Sequence, residues 1–276
     1  MKADRAGLMV LAISCVATPC GLRAEELKPE TIHDFECYVQ SAEKRMDTRQ
    51  AFLLADSNSA LNQQVVEGRR VQTAPGNGAN PHKLTGGHVY DWTGTVFIEG
   101  ATLQRTIRFL QDYDHRPQYF PEVIATSKLL CRKGDGQFRF TMRMKEPSVI
   151  DVESDVVWQK VDDHRWRCHS YSTQIKNVGK DQRYIQRLFT YWRLFETDKG
   201  VYVEGQSITL AGEFSALMRT IGSWMGINPE KSLKKTLSYM RENMHKPGME
   251  FALPPAGLPE CGEPFRPAGC TAVSAR

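Results

Sequence analysis

At 276 residues, with 41% hydrophobic and 25% charged residues, the chain is long enough for one or two ordinary folded domains. Lys and Arg number 36 against 32 Asp and Glu, and the resulting +4 is spread thinly in short clusters such as Lys231, Lys234 and Lys235 or Arg183 and Arg187. No dense basic stripe with interleaved aromatics is present, which argues against a nucleic-acid partner.

Lys2 and Arg5 precede an apolar run, Ala6–Val16, followed by Thr18–Gly21 and by Leu22, Arg23 and Ala24. This is the layout of a secretory signal peptide with cleavage expected near Ala24, and the run is too short to span a membrane. The mature chain is therefore expected to be secreted or periplasmic, with no transmembrane segment. It would keep five cysteines, Cys37, Cys131, Cys168, Cys261 and Cys270, an odd number that cannot all pair internally. Cys261 and Cys270 share one tail segment and form the candidate disulfide. Cys131 and Cys168 fall in strand patterns, where they read as small hydrophobes.

Residues 25–54 read as a helix: Ile32, Phe35, Val39, Ala42 and Met46 recur at helical spacing. Residues 55–86 read as a linker centred on the Gly, Asn and Pro of Ala74–Pro81, and a short strand at Val65–Val71 fits the pattern. Together they form a helical N-terminal extension, residues 25–85, ahead of a main domain at 86–246. His88–Ile98 is a strand by its β-branched and aromatic content. Thr102–Tyr113 is helical, carrying Leu103, Ile107, Leu110 and Gln111, and Arg116-Pro117 and Phe120-Pro121 break it.

Six strand-like runs follow: Val123–Arg132, Phe138–Lys145, Val149–Val161, Arg165–Ile175, Tyr184–Glu196 and Val201–Leu210. The short turns between them predict an antiparallel meander. Phe138, Phe140, Met142 and Met144 share one face, opposite Arg139, Thr141, Arg143 and Lys145. Ile150, Val152, Val156 and Trp158 likewise oppose Asp151, Glu153 and Asp155. One face of the sheet must therefore be covered, and Glu213–Met244 is the candidate cover. Its stripe runs through Phe214, Leu217, Met218, Ile221 and Met225, breaks at Gly226–Pro229, and resumes at Leu233, Leu237, Met240 and Met244. Residues 247–276 read as an irregular tail.

The order strand, helix pair, six antiparallel strands and long C-terminal helix resembles the START-like (SRPBCC) superfamily, which includes polyketide cyclases and lipid-transfer domains. Trp92–Leu103 (WTGTVFIEGATL), Leu110–Asp114 (LQDYD), Tyr191–Phe195 (YWRLF) and Val201–Glu204 (VYVE) carry the resemblance, over about 160 residues, toward an uncharacterised exported branch. It implies an α+β helix-grip fold: a curved antiparallel sheet of about seven strands wrapped around a long C-terminal helix. It also implies a cavity between the two for an apolar or amphipathic ligand.

No HExxH, CxxC, GxSxG, P-loop or GxGxxG occurs, so no metal or cofactor is expected. A four-residue loop at Thr197–Gly200 would set Arg193 opposite Glu204, a cross-strand pair that reads either as a sheet salt bridge or as a ligand-orienting group. His169 and Tyr171 share one face of their strand, and Cys168, Ser170 and Ser172 share the other; alternation leaves open which set meets the cavity. The candidate lining is Phe138, Phe140, Met142, Met144, Val152, Val156, Trp158, His169, Tyr171, Arg193, Glu204, Leu217, Met218 and Ile221.

The leading expectation is an exported binder or carrier of a hydrophobic or lipid-like molecule, with no catalytic residue. One alternative is a cyclase- or hydrolase-type enzyme using His169, Tyr171 or Glu204. The other is a cell-envelope interaction protein filled by its own side chains, with a pocket under about 300 Å³.

Overall fold

Lys28 and Pro29 open helix α1 (Pro29–Thr48). Proline suits the first turn because its missing N–H has no intrahelical partner there, and Glu30 complements the positive helix end. The stripe Phe35, Tyr38, Val39, Ala42 and Met46 is buried. The computed structural model describes residues 28–57, 65, 72–75, 80–146, 149–178, 185–212 and 229–270.

The chain has the expected helix-grip fold of the α+β class, a curved antiparallel sheet with a C-terminal helix against one face. The nine strands among the described residues are β1 (Gln72–Pro75), β2 (His82–Leu84), β3 (Gly87–Glu99), β4 (Ile124–Lys133), β5 (Gln137–Met144), β6 (Ile150–Lys160), β7 (Arg165–Asn177), β8 (Ile185–Thr197) and β9 (Gly200–Gly212). They form one sheet in the order β1-β3-β9-β8-β7-β6-β5-β4, with β2 also on β3, and every pairing is antiparallel. The meander β4 to β9 matches the expected order, and β3 closes onto β9 through thirteen residue pairs from Gly87 to Glu99.

Two strands exceed the expected seven. The short β1 and β2 pair side by side along the free edge of β3, β1 opposite Trp92–Thr95 and β2 opposite Gly87–Val89. Each holds its place by backbone bonds to β3, so neither needed the side-chain alternation that a sequence reading detects. The Val65–Val71 strand lies outside the described residues except for Val65, which is helical and buried.

Helix α2 (Leu103–Gln111) is capped by Thr102, whose hydroxyl accepts from the Arg105 N–H at 3.3 Å. The one-turn helix α3 (Arg116–Tyr119) follows. Helix α4 (Pro229–His245) buries Leu233, Leu237, Met240 and Met244, the expected stripe. Residues 213–228, the first part of the expected closing helix, lie outside the described residues, as does the cleavage region near Ala24.

Two apolar layers flank the sheet. On the concave face, α2, α3 and α4 enclose the main core with Phe138, Phe140, Val152, Val156 and Trp158. On the convex face, α1 packs Phe35, Tyr38, Val39, Ala42 and Met46 on Val89, Tyr171, Phe189, Ile208 and Leu210.

The tail corrects the expected Cys261–Cys270 disulfide. Cys261 is joined to Cys131 and Cys270 to Cys37. The tail is irregular but extended, so its two cysteines are carried to different partners. It runs parallel to the end of edge strand β4, where Arg132 bridges Glu260, and the Cys261 N–H donates to the Arg132 carbonyl at 3.2 Å. It then crosses the convex face: the Phe265 N–H donates to Asp155 on β6, and the Cys270 N–H donates to Gln40 on α1. A covered edge strand is also a protected one. Cys131 is thus a disulfide partner, and Cys168 is free and buried.

Candidate functional site: the cavity under the sheet

Along β7, β8 and β9 the inward positions carry Cys168 and Ser170, Leu188, Thr190 and Trp192, and Ser207 and Thr209. Strand pairing aligns Ser170 with Thr190 and Thr190 with Ser207, a row of three hydroxyls across adjacent strands. One step along, Trp192 faces Gly205. A Cβ at Gly205 would stand 2.5 Å from the Trp192 ring, so only glycine lets the indole lie flat across β9. From β5 and β6 come Phe140, Met142, Met144, Ser154, Val156 and Trp158; α4 contributes Pro229, Ser232, Leu233 and Thr236. These groups surround a cavity of about 140 Å³, most of whose wall is apolar.

Arg116, from α3, is the one charged side chain among the described residues of that wall. Its guanidinium carbon lies 4.4 Å from the centre of the Tyr113 ring and 4.5 Å from that of Phe140. One terminal nitrogen donates to the Leu110 carbonyl at 3.0 Å. Burial pulls the Arg116 pKa below its ordinary value. The nearby Asp112 carboxylate is committed elsewhere: one oxygen lies 2.6 Å from His115 Nδ1, and the other accepts from the Tyr119 hydroxyl and the Ala252 N–H. Tyr113 is fully buried, accepts from Trp158 Nε1 at 3.3 Å, and burial raises its pKa. The Cys168 thiol is raised by burial too, which keeps it protonated and disarms it as a nucleophile.

Phe140, Met142, Met144, Val156 and Trp158 thus line the cavity, and Phe138 and Val152 belong to the core packed around it. Leu217, Met218 and Ile221 lie outside the described residues. His169, Tyr171, Arg193 and Glu204 do not line the cavity: they lie on the convex face, beneath or beside α1. The question left by alternation resolves by covering, since Cys168 and Ser170 face the cavity while His169 stacks on Tyr171 at 4.8 Å against the α1 layer. Tyr171 and Tyr191 both donate to Glu43 of α1. Of the residues named for a cyclase or hydrolase, Tyr171 thus ties α1 to the sheet, Glu204 ties the segment that follows α1, and His169 stacks on Tyr171.

Sequence reasoning passed over Arg116 and, of the hydroxyl row, Thr190 and Ser207; Ser170 stood in one of its two open alternatives. Ser154 was legible, because it shares the inward face of Val152 and Val156. Arg116 had only a weak signal, an arginine set among Tyr113, Tyr119 and Phe120. Among the described residues, one set of metal-ligand types converges, His33, Cys37 and Cys270, and two of its three donors are consumed by the disulfide. No described helix is long and apolar enough to cross a membrane.

No protein-family model matches the chain, and no curated protein matches it. Among solved structures, a STAR-related lipid transfer protein from Xanthomonas axonopodis is 18% identical, with 64% of this chain and 99% of that chain covered at a TM-score of 0.44. A START superfamily protein from Mycobacterium smegmatis is 9% identical, covering 56% and 96% at 0.41. Human STARD10 is 10% identical, covering 67% and 78% at 0.40. The fold assignment rests on the chain's own strand order and helix placement.

Proposed function

We propose that this protein is an exported binding or carrier protein that holds a small hydrophobic or lipid-like molecule between the sheet and α4. The observation that supports this is the apolar-walled cavity with a few convergent polar groups, the general pattern of a small-molecule site. The leader pattern ending near Ala24 and the disulfides Cys37–Cys270 and Cys131–Cys261 support an oxidising compartment. At about 140 Å³ the space matches one small ring or a short chain, since a cavity of about 150 Å³ holds benzene. The same volume favours a second reading, an envelope interaction protein with a filled interior, because drug-sized ligands occupy about 300 Å³ or more.

The test is native mass spectrometry of the protein purified from the exported fraction, followed by titration with small apolar probes read by tryptophan fluorescence. A co-purifying small molecule, or saturable binding that shifts the Trp158 and Trp192 signals, supports the carrier. Absence of both sinks it in favour of the filled interior.

A further inference from the structure

Resting on the carrier reading, we infer that the cavity ligand is a small apolar carboxylic acid whose carboxylate is held by Arg116. A guanidinium inside an apolar chamber is costly unless it is paired. Arg116 has only partial compensation from the protein: two ring faces, one carbonyl and the field of a saturated Asp112. Among the described residues no carboxylate lies within ion-pair distance of it, and its remaining N–H groups have no acceptor. Among the described residues the sealed side-chain atoms without a partner are Arg49 Nε, Ser127 Oγ and Asn177 Oδ1, none of them on Arg116. Arg116 lines the cavity, so its free N–H groups are within reach of a molecule held there. A methionine or leucine would fill the same wall without that cost, so the charge is set to meet a ligand.

The guanidinium fork matches a carboxylate with two parallel hydrogen bonds. Tyr113 and Phe140 hold the guanidinium plane in place, which lowers the ordering cost on binding. A benzene-sized volume leaves room for one ring or a short acyl chain beyond the head. The hydroxyl row of Ser170, Thr190 and Ser207 offers a second polar contact for a ring substituent.

The experiment titrates the full mature protein with benzoate and hexanoate, and with the neutral counterparts benzyl alcohol and hexanol, by NMR shifts and tryptophan fluorescence. The expected result is that each acid binds about tenfold or more tighter than its neutral counterpart, the size of one charge-assisted contact. That advantage should shrink as the pH falls through the acid's own pKa. In Arg116→Met the advantage should vanish while neutral binding stays or improves; in Arg116→Lys, which keeps charge without the fork, it should shrink. Equal binding of acids and alcohols by the wild type overturns the head-group assignment and leaves the carrier standing, and that outcome requires no variant to fold. Retention of the acid preference by a folded Arg116→Met overturns it as well. Failure of every probe to bind overturns the carrier and this inference together.

Discussion

Glu204 stands directly opposite Arg193 in the β8–β9 register, yet its carboxylate binds Arg49 and the Leu54 N–H, both from the segment that follows α1. Arg193 instead donates to the Phe52 carbonyl at 3.2 Å and lies 3.6 Å from Asp47. A pair that strand geometry offered to the sheet is shared out to the N-terminal extension. Burial and the neighbouring Arg49 lower the Arg193 pKa to about 10.

Glu204→Gln should therefore loosen the N-terminal segment more than the sheet. It removes the charge partner of Arg49 and leaves two arginines facing each other. Breaking a buried pair costs about 3–5 kcal/mol; with the Arg49 side chain 20% exposed, about 2–3 kcal/mol is expected in a denaturant melt. Faster amide exchange should appear first at residues 49–54.

Phe35→Ala tests the convex layer. Phe35 is wholly buried, and its ring centre lies 5.2 Å from that of Phe189. A loss of about 3–5 kcal/mol is expected from the missing ring and the void left behind. A loss below about 1 kcal/mol would mean that α1 is not part of the cooperative fold.

The tail is expected to be clamped at both ends. Non-reducing peptide mapping should recover Cys37 with Cys270 and Cys131 with Cys261, and no Cys261–Cys270 peptide. Cys168 should resist alkylation in the native protein and react once unfolded, because it is buried and its thiol pKa is raised. Closing loops of 130 and 233 residues, each bridge should contribute about 2–5 kcal/mol, read as the melting shift on reduction.

His169 sets a pH dependence. Burial, with Arg266 and Arg167 nearby, lowers its pKa from 6.5 to about 4. Between those values the unfolded chain binds the proton and the folded chain does not, so stability falls as the pH drops from about 6.5 toward 4. His169→Gln should flatten that part of the melting-temperature profile. An unchanged slope would show that other groups set it.

Gly205→Ala should drive a methyl group into the Trp192 ring. The indole must then tilt toward the cavity, at a cost of about 1–3 kcal/mol. Weaker probe binding together with a shifted tryptophan emission would confirm the geometry; unchanged binding would mean that Trp192 can move without closing the cavity.

The sequence by itself determined the meander, its turns, the face that Phe140, Met144, Val156 and Trp158 share, the α4 stripe and the register that sets Arg193 against Glu204. All of these follow from local periodicity, since a strand repeats every two residues and a helix about every 3.6. Tertiary structure alone decided which face of β7 meets the cavity, because Cys168 and Ser170 are scarcely more apolar than His169 and Tyr171, and only the arrival of α1 separates the two sides. It also decided the disulfides, since an extended tail brings together cysteines 130 and 233 residues apart that spacing could not pair. Arg116 belongs with these. Its aromatic neighbours along the chain signal it only weakly, and the fold alone brings the first residue of α3 under the sheet, against the stacked rings of Tyr113 and Phe140.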